Sequence, residues 1–371
     1  MGVTEPSAVA SAPSLDTPTV GRRERFLAAL ERRPVDRTPV ICTGGSMSSV
    51  PAQVVALSGQ SLPAAHRDAQ AMAQLALAAA RLTGFEAVGV PLCTTVEAEA
   101  YGAPIDLGDA DTEARIVREP YASVRDVVLP EVRALYARSR APLVVEAVRE
   151  LSASAGDLPI IANLIGPMSI AASLVDPMTF MRELRTRPDE VAALAAHVTD
   201  FLIDWAHELI AAGALAIAIH EDTTTPALVG ARTFDAAVAP HLRRLAAAIK
   251  ADGGRVLLHM CGTPGKSLVT LATLGIDAFI PDASVVPAEL RASLGEVAII
   301  GNVSTFLLHQ GRPESIGALA ERLCKQAQID VLAPTCGMSS ATPLINIRAL
   351  TQAATAFLVG DAKFEESMDH V

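Results

Sequence analysis

Three side chains of this sequence could bind a metal at predicted strand ends: His259, Cys261 and Cys336. His259 and Cys261 stand two apart in His-Met-Cys-Gly, and side chains two apart in extended backbone point the same way. Cys336, in Pro-Thr-Cys-Gly, comes from a distant strand end, so only folding assembles the three. One imidazole and two thiolates suit Zn(II), and three protein ligands leave a fourth position open for catalysis. A structural zinc knuckle would use two close pairs, and only one is present. The competing reading is plain burial, since cysteine is often a core residue. Cys42 and Cys93 also follow strands and compete as ligands, while Cys324 falls inside an amphipathic helix and reads as core. Zinc held by one His and two Cys suits activation of a substrate thiol, because a metal-bound thiol is a thiolate at neutral pH. A thiolate attacks activated alkyl groups.

Other polar residues stand at the same ends of predicted strands. His220-Glu221-Asp222 follows an apolar run and either lines a mouth or caps the next turn. Asn163 and Asn302 either donate hydrogen bonds to a substrate or satisfy strand-end backbone groups. Asp282 follows another strand. Glu97 and Glu99 face a partner or solvent, and Met47 and Met168 fill core or pocket.

The elements that must position these residues alternate. Short apolar runs at 38–42, 86–90, 158–163, 214–219, 255–259, 277–280, 297–301 and 330–333 read as strands. Helical stretches separate most of them: Ala69–Thr83, Leu143–Ser154, Asp189–Ala212, Phe234–Ala251, Gly265–Leu274, Val286–Leu294, Pro313–Gln328 and Leu344–Leu358. Continuous apolar strands alternating with helices predict an α/β fold, a single (β/α)8 TIM barrel over 21–362. A loose tail at 1–20 and a flexible C-terminus at 363–371 flank it. Region 91–129 breaks the rhythm and reads as a loop or hairpin insertion over one barrel end. The rival is a doubly wound open sheet, but no GxGxxG follows the first strand. Gly262–Ser267 ends like a phosphate loop, yet Met260 stands where its first glycine belongs.

Composition narrows the partners. Half of the 371 residues are hydrophobic, and 30 Lys+Arg stand against 41 Asp+Glu, a net charge of -11. The basic pairs are isolated, which argues against nucleic acid, and the acidic surplus against anionic membranes. No apolar stretch is long enough to span a bilayer. Five scattered cysteines, an odd number, point to thiols in a reducing cytoplasm.

Several segments carry a family resemblance. RERFLAALERRPVDRTPV (23–40) is similar to the opening of the uroporphyrinogen decarboxylase-like superfamily. Segments 62–103, 163–174, 259–279, 301–316 and 333–350 resemble its branch of methylcobamide:coenzyme M methyltransferases, whose mark is the H-x-C plus a distant Cys. The resemblance implies a (β/α)8 barrel with zinc on His259, Cys261 and Cys336. It implies transfer of a methyl group from methylcobalamin to a small-molecule thiol such as coenzyme M. The corrinoid would ride on a separate corrinoid-binding protein, since no D-x-H-x-x-G signature is present. Asn163, His220, Asn302 and Met47 would line the pocket. Some relatives carry an acidic pair after the sixth strand, whereas here Asp282 is followed by Ala283. The resting fourth ligand is then water, Asp282 or Glu221. Two alternatives remain: a non-catalytic zinc barrel docking a corrinoid protein, and a uroporphyrinogen decarboxylase-type enzyme. The second expects an Arg-rich loop after the first strand, and this chain has GGSMSSV there. Methyl transfer to a pterin has no need of thiolate-bound zinc.

Overall fold

The computed structural model describes residues 20–43, 50–326 and 329–356. Met47, the tail as far as residue 19 and segment 363–371 lie outside the described residues.

Local signals set the elements. Ala69–Thr83 is helical because Ala, Leu, Gln and Met favour it, and both ends are fixed nearby. Asp68 caps the start, accepting from the Ala71 amide at 2.7 Å. Gly84, with φ 88°, ends it in the left-handed conformation. The chain then enters β1 (Val88–Val90). The interrupting region forms a short helix, Val96–Ala100, and a two-stranded antiparallel ribbon of β2 (Ile105–Asp106) and β3 (Arg115–Ile116). The remaining strands are β4 (Ile160–Ile165), β5 (Ala216–His220), β6 (Arg255–His259), β7 (Ala278–Ile280) and β8 (Ala298–Ile299).

β1, β4, β5, β6, β7 and β8 form one parallel sheet in that order. Helices Pro188–Ala211, Ala239–Ala251 and Pro287–Leu294 are among those that return the chain between neighbouring strands. The result is an α/β fold with a six-stranded parallel sheet. The expected strands at 38–42 and 330–333 are reduced to bridges, Val40 with Leu332 and Val331 with Ile300. Proline explains part of the reduction, because Pro39 and Pro334 have no N–H to extend a ladder. The Glu86 amide donates to the Val40 carbonyl at 2.8 Å, so segment 38–42 also touches the start of the β1 segment.

The core has two parts. The larger packs helices against one face of the sheet and includes Ile217, Ile219, Val256 and Leu258. The smaller collects Ile41, Ala87, Ile161, Ala216, Ala218, Leu257, Ala278, Ala298 and Val331, with Phe26 and Leu30 of helix Arg22–Leu30 against it. Its strand members are mostly Ala, Ile and Val, small enough to meet across a narrow space. Strand side chains alternate, so each strand divides between the two clusters by parity. No helix among the described residues is long and apolar enough to cross a membrane.

Candidate metal centre

Parity decides what stands beyond the strand ends. On β5, Ala216 and Ala218 belong to the small cluster, and the same side continues through His220 to Asp222. On β6 it continues from Leu257 through His259 to Cys261. The parallel register pairs His220 with His259, so the next same-side residues, Asp222 and Cys261, also become neighbours. Cys261 Sγ lies 3.6 Å from Asp222 Oδ1 and 3.6 Å from His259 Nε2. His259 Nε2 lies 3.4 Å from Asp222 Oδ1. A tetrahedral ion with bonds of roughly 2.0–2.3 Å spaces its ligand atoms by roughly 3.3–3.8 Å, so these three fit its edges.

His259 is oriented for this by its other nitrogen. Nδ1 contacts the Ile280 carbonyl at 3.1 Å, which makes Nδ1 the donor and leaves the Nε2 lone pair facing Cys261 and Asp222. The ring is buried and meets His220 edge-on, with centroids 5.6 Å apart.

Cys336 comes to the same place from the far end of the chain and hydrogen-bonds with both Cys261 and His259. Its thiol is driven far down by the hydrogen bond from Cys261, against the opposing effect of burial. The Cys261 thiol is driven up by the same bond. Burial alone would lower His259, but the hydrogen bond to Cys336 and the charge of Asp222 raise it to about 9. A divalent cation would replace these protons, and one imidazole, two sulfurs and a carboxylate match zinc's preferences.

Two expected carboxylates are engaged elsewhere. Glu221 has the parity of Ile217 and Ile219 and faces the helices. It accepts from Ser169 Oγ, from Thr224 Oγ1 at 2.8 Å and from the Met168 amide at 3.2 Å, and burial pushes it up to about 7. Asp282 accepts from the Gly262 amide at 3.1 Å and from Ser284 N and Oγ at 2.8 and 2.7 Å. The carboxylate beside His259 and Cys261 is that of Asp222, which the sequence reading left in a polar cluster without a metal role. The signal was available, since His220-x-Asp222 has the same two-residue spacing as His259-x-Cys261.

The other expected pocket residues divide. His220 Nε2 meets Asn163 Oδ1 at 3.0 Å, and burial brings this imidazole down to about 4. Asn302 Nδ2 donates to the carbonyls of Asp282 and Val285 at 3.0 and 2.7 Å, so it serves strand-end backbone. Cys42 is buried in the wall near β1, and Cys324 is buried on helix Pro313–Lys325. Cys93 stands apart in a cluster the sequence reading did not find. Burial pushes its thiol up, but His66 and Arg140 outweigh that and bring it to about 6. Arg140 Nη1 and Thr95 Oγ1 each lie 3.4 Å from its sulfur.

Comparisons with known proteins bear on this centre. The family profile described as uroporphyrinogen decarboxylase (URO-D) matches residues 22–357. The methylcobamide:CoM methyltransferase MtaA of Methanosarcina barkeri is 32% identical over 336 residues, covering 89% of this chain and 96% of that protein. The methylcobamide:CoM methyltransferase MtbA of Methanosarcina acetivorans is 30% identical over 334 residues, covering 90% and 97%. A solved methyltransferase from Methanosarcina mazei superposes with a TM-score of 0.83 at 30% identity, covering 91% of this chain and 99% of that one.

Proposed function

The chain belongs to the uroporphyrinogen decarboxylase family, with strong similarity to its methylcobamide:CoM methyltransferases, and from that premise we propose a zinc-dependent corrinoid:thiol methyltransferase. The methyl group moves from a methylated corrinoid, carried on a separate protein, to the sulfur of a small thiol. The observation that carries this reading is the ligand spacing of 3.4–3.6 Å among Asp222, His259 and Cys261, with Cys336 joined to it.

His259, Cys261 and Cys336 would hold the zinc. Zinc supplies one thing here, the conversion of the acceptor thiol to a bound thiolate at neutral pH. Asp222, 3.4 Å from His259 Nε2 and 3.6 Å from Cys261 Sγ, would be the further residue able to help hold the zinc. Ile280 keeps the His259 tautomer fixed through Nδ1. His220, held neutral by burial and anchored on Asn163, packs against the His259 ring and limits its tilt. Asp222, Cys261 and Cys336 are half-buried while His259 is buried, so the centre is open on its sulfur side. That is the side a thiol and a corrinoid carrier must approach.

The closed (β/α)8 barrel over 21–362 belongs to the same proposal. It is supported by the bridges from Val331 to Ile300 and from Leu332 to Val40, by the Glu86–Val40 bond, and by a small core cluster drawn from all eight segments. Active sites of such barrels sit beyond the C-terminal strand ends, where these ligands lie.

The direct test is an anaerobic assay of zinc-loaded protein with methylcobalamin and a panel of thiols, following loss of the cobalt-bound methyl by absorbance. Demethylation that depends on both thiol and zinc is the expected outcome. Fully zinc-loaded protein that demethylates with no thiol overturns the proposal.

A further inference from the structure

Cys93 stands just beyond β1, among polar groups that the methyl-transfer reading does not use. Its side chain is half-buried. Arg140 Nη1 and Thr95 Oγ1 each lie 3.4 Å from the sulfur. Arg140, at the start of helix Ala141–Ser154, is itself held by Glu99 Oε2 at 2.7 Å and by Thr95 Oγ1 at 2.8 Å. The guanidinium and the hydroxyl are thus two fixed donors at one sulfur, and such donors favour a thiolate over a thiol.

His66 is the second observation. It follows helix Leu62–Ala65 and is fully buried, and neither ring nitrogen has a well-aligned hydrogen-bond partner. The group it acts on is the Cys93 thiol. Burial raises that thiol, but His66, Arg140 and Thr95 outweigh burial and bring it to about 6. A buried imidazole nitrogen without a partner is costly, and a hydroxyl on the sulfur can supply one. The carboxyls on this side do not undo the effect. Glu99 is taken up by Arg140, and burial keeps Glu97 protonated up to about 7. Cys324 is the contrast, a buried thiol on a helix that burial pushes up.

We propose that Cys93 is a modification site for small peroxides, a thiolate that hydrogen peroxide converts to a sulfenic acid. The sulfur attacks one peroxide oxygen. An S–O bond forms as the O–O bond breaks, and the sulfur gives two electrons to the peroxide. The attacked oxygen keeps its proton and becomes the sulfenic hydroxyl, while the other leaves as hydroxide. The sulfenic acid is the first and reversible step of cysteine oxidation. Neither zinc nor methyl transfer enters this step, so it stands or falls apart from the functional reading.

The test treats full-length, zinc-loaded protein with equimolar hydrogen peroxide, traps sulfenic acid with dimedone, and reads each cysteine by peptide mass spectrometry. At pH 6 Cys93 should be trapped at least tenfold faster than Cys42 or Cys324. Its rate should rise with pH and be half-maximal at about 6, where an ordinary thiol needs ~8.5. Arg140→Gln removes the fixed cation and should move this midpoint up by at least one pH unit. His66→Asn should move it the same way. Trapping of Cys93 no faster than of Cys42 and Cys324 overturns the proposal, as does a wild-type midpoint near that of an ordinary thiol. An unmoved midpoint in both folded variants also overturns it. If neither variant folds, the wild-type rates and midpoint decide.

Discussion

Cys336, half-buried, and Cys324, buried, should respond differently to removal. Cys336 bonds with Cys261 and His259, whereas Cys324 packs on the helix Pro313–Lys325. Cys336→Ala should drop zinc well below one per chain by elemental analysis while circular dichroism stays that of the folded protein. A core of this size does not depend on one metal for folding. Cys324→Ala should keep full zinc and lose about 1–2 kcal/mol or less of packing. Zinc retained at one per chain in Cys336→Ala would remove Cys336 from the ligand set. A second residue-scale expectation concerns pH. Burial raises Glu97 to about 7. Unfolded, it titrates near ~4.3. The folded state therefore holds the proton more tightly, so the stability this proton contributes is fully present below ~4.3 and lost as pH rises to about 7. The urea midpoint of the wild type should fall relative to that of Glu97→Gln across this interval. A rise would contradict the assignment.

At the level of elements, the junction of β4 and β5 has one demanding position. Gly166 links β4 to helix Pro167–Ser173, and a Cβ added there would lie 2.3 Å from Glu221 Oε2 and 2.9 Å from Glu221 Cβ. The first atom can rotate away, but the second is tied to the backbone beyond β5. Gly166→Ala should therefore displace Glu221 and the strand end that carries Asp222. A cost on the order of 1–3 kcal/mol follows from overpacking, with weaker zinc binding as its companion. Thermal melting together with zinc competition against a chelator measures both. An unchanged zinc affinity would show that the Asp222 position does not depend on this packing.

For the whole molecule, the buried charges at the other end of the sheet matter most. Glu86 is 3% exposed and accepts from Arg37 twice at 2.6 Å, from Arg25 at 3.1 Å and from the Val40 amide at 3.2 Å. Arg25 also clasps Asp36 with two contacts of 2.7 Å. Helix Arg22–Leu30, the Val40 bridge and the start of the β1 segment are thus joined through one carboxylate. Glu86→Ala leaves two arginines partly uncompensated and should cost roughly 3–5 kcal/mol in urea unfolding. A loss below about 1 kcal/mol, the level of an exposed pair, would mean that solvent replaces Glu86.

The sequence by itself determined what depends on neighbours along the chain. Ala69–Thr83 was legible end to end, because propensity, the Asp68 cap and the Gly84 stop are all local. The strand–helix alternation and the shared direction of His259 and Cys261 follow from simple periods. So did the resemblance to methyltransferases, carried by contiguous segments. Tertiary structure decided the rest. Period two says that Glu221 and Asp222 point opposite ways, but only the assembled sheet tells which way is inward, and it chose Asp222. Register between β5 and β6 placed Asp222 beside Cys261 across 39 residues of sequence. Cys336 joined them from farther still. The cluster of Cys93, His66 and Arg140 and the buried, unpartnered Glu97 Oε2 had no local signal at all. Which distant groups meet, and which buried atom is left without a partner, is fixed by packing, and packing is not encoded in any one segment.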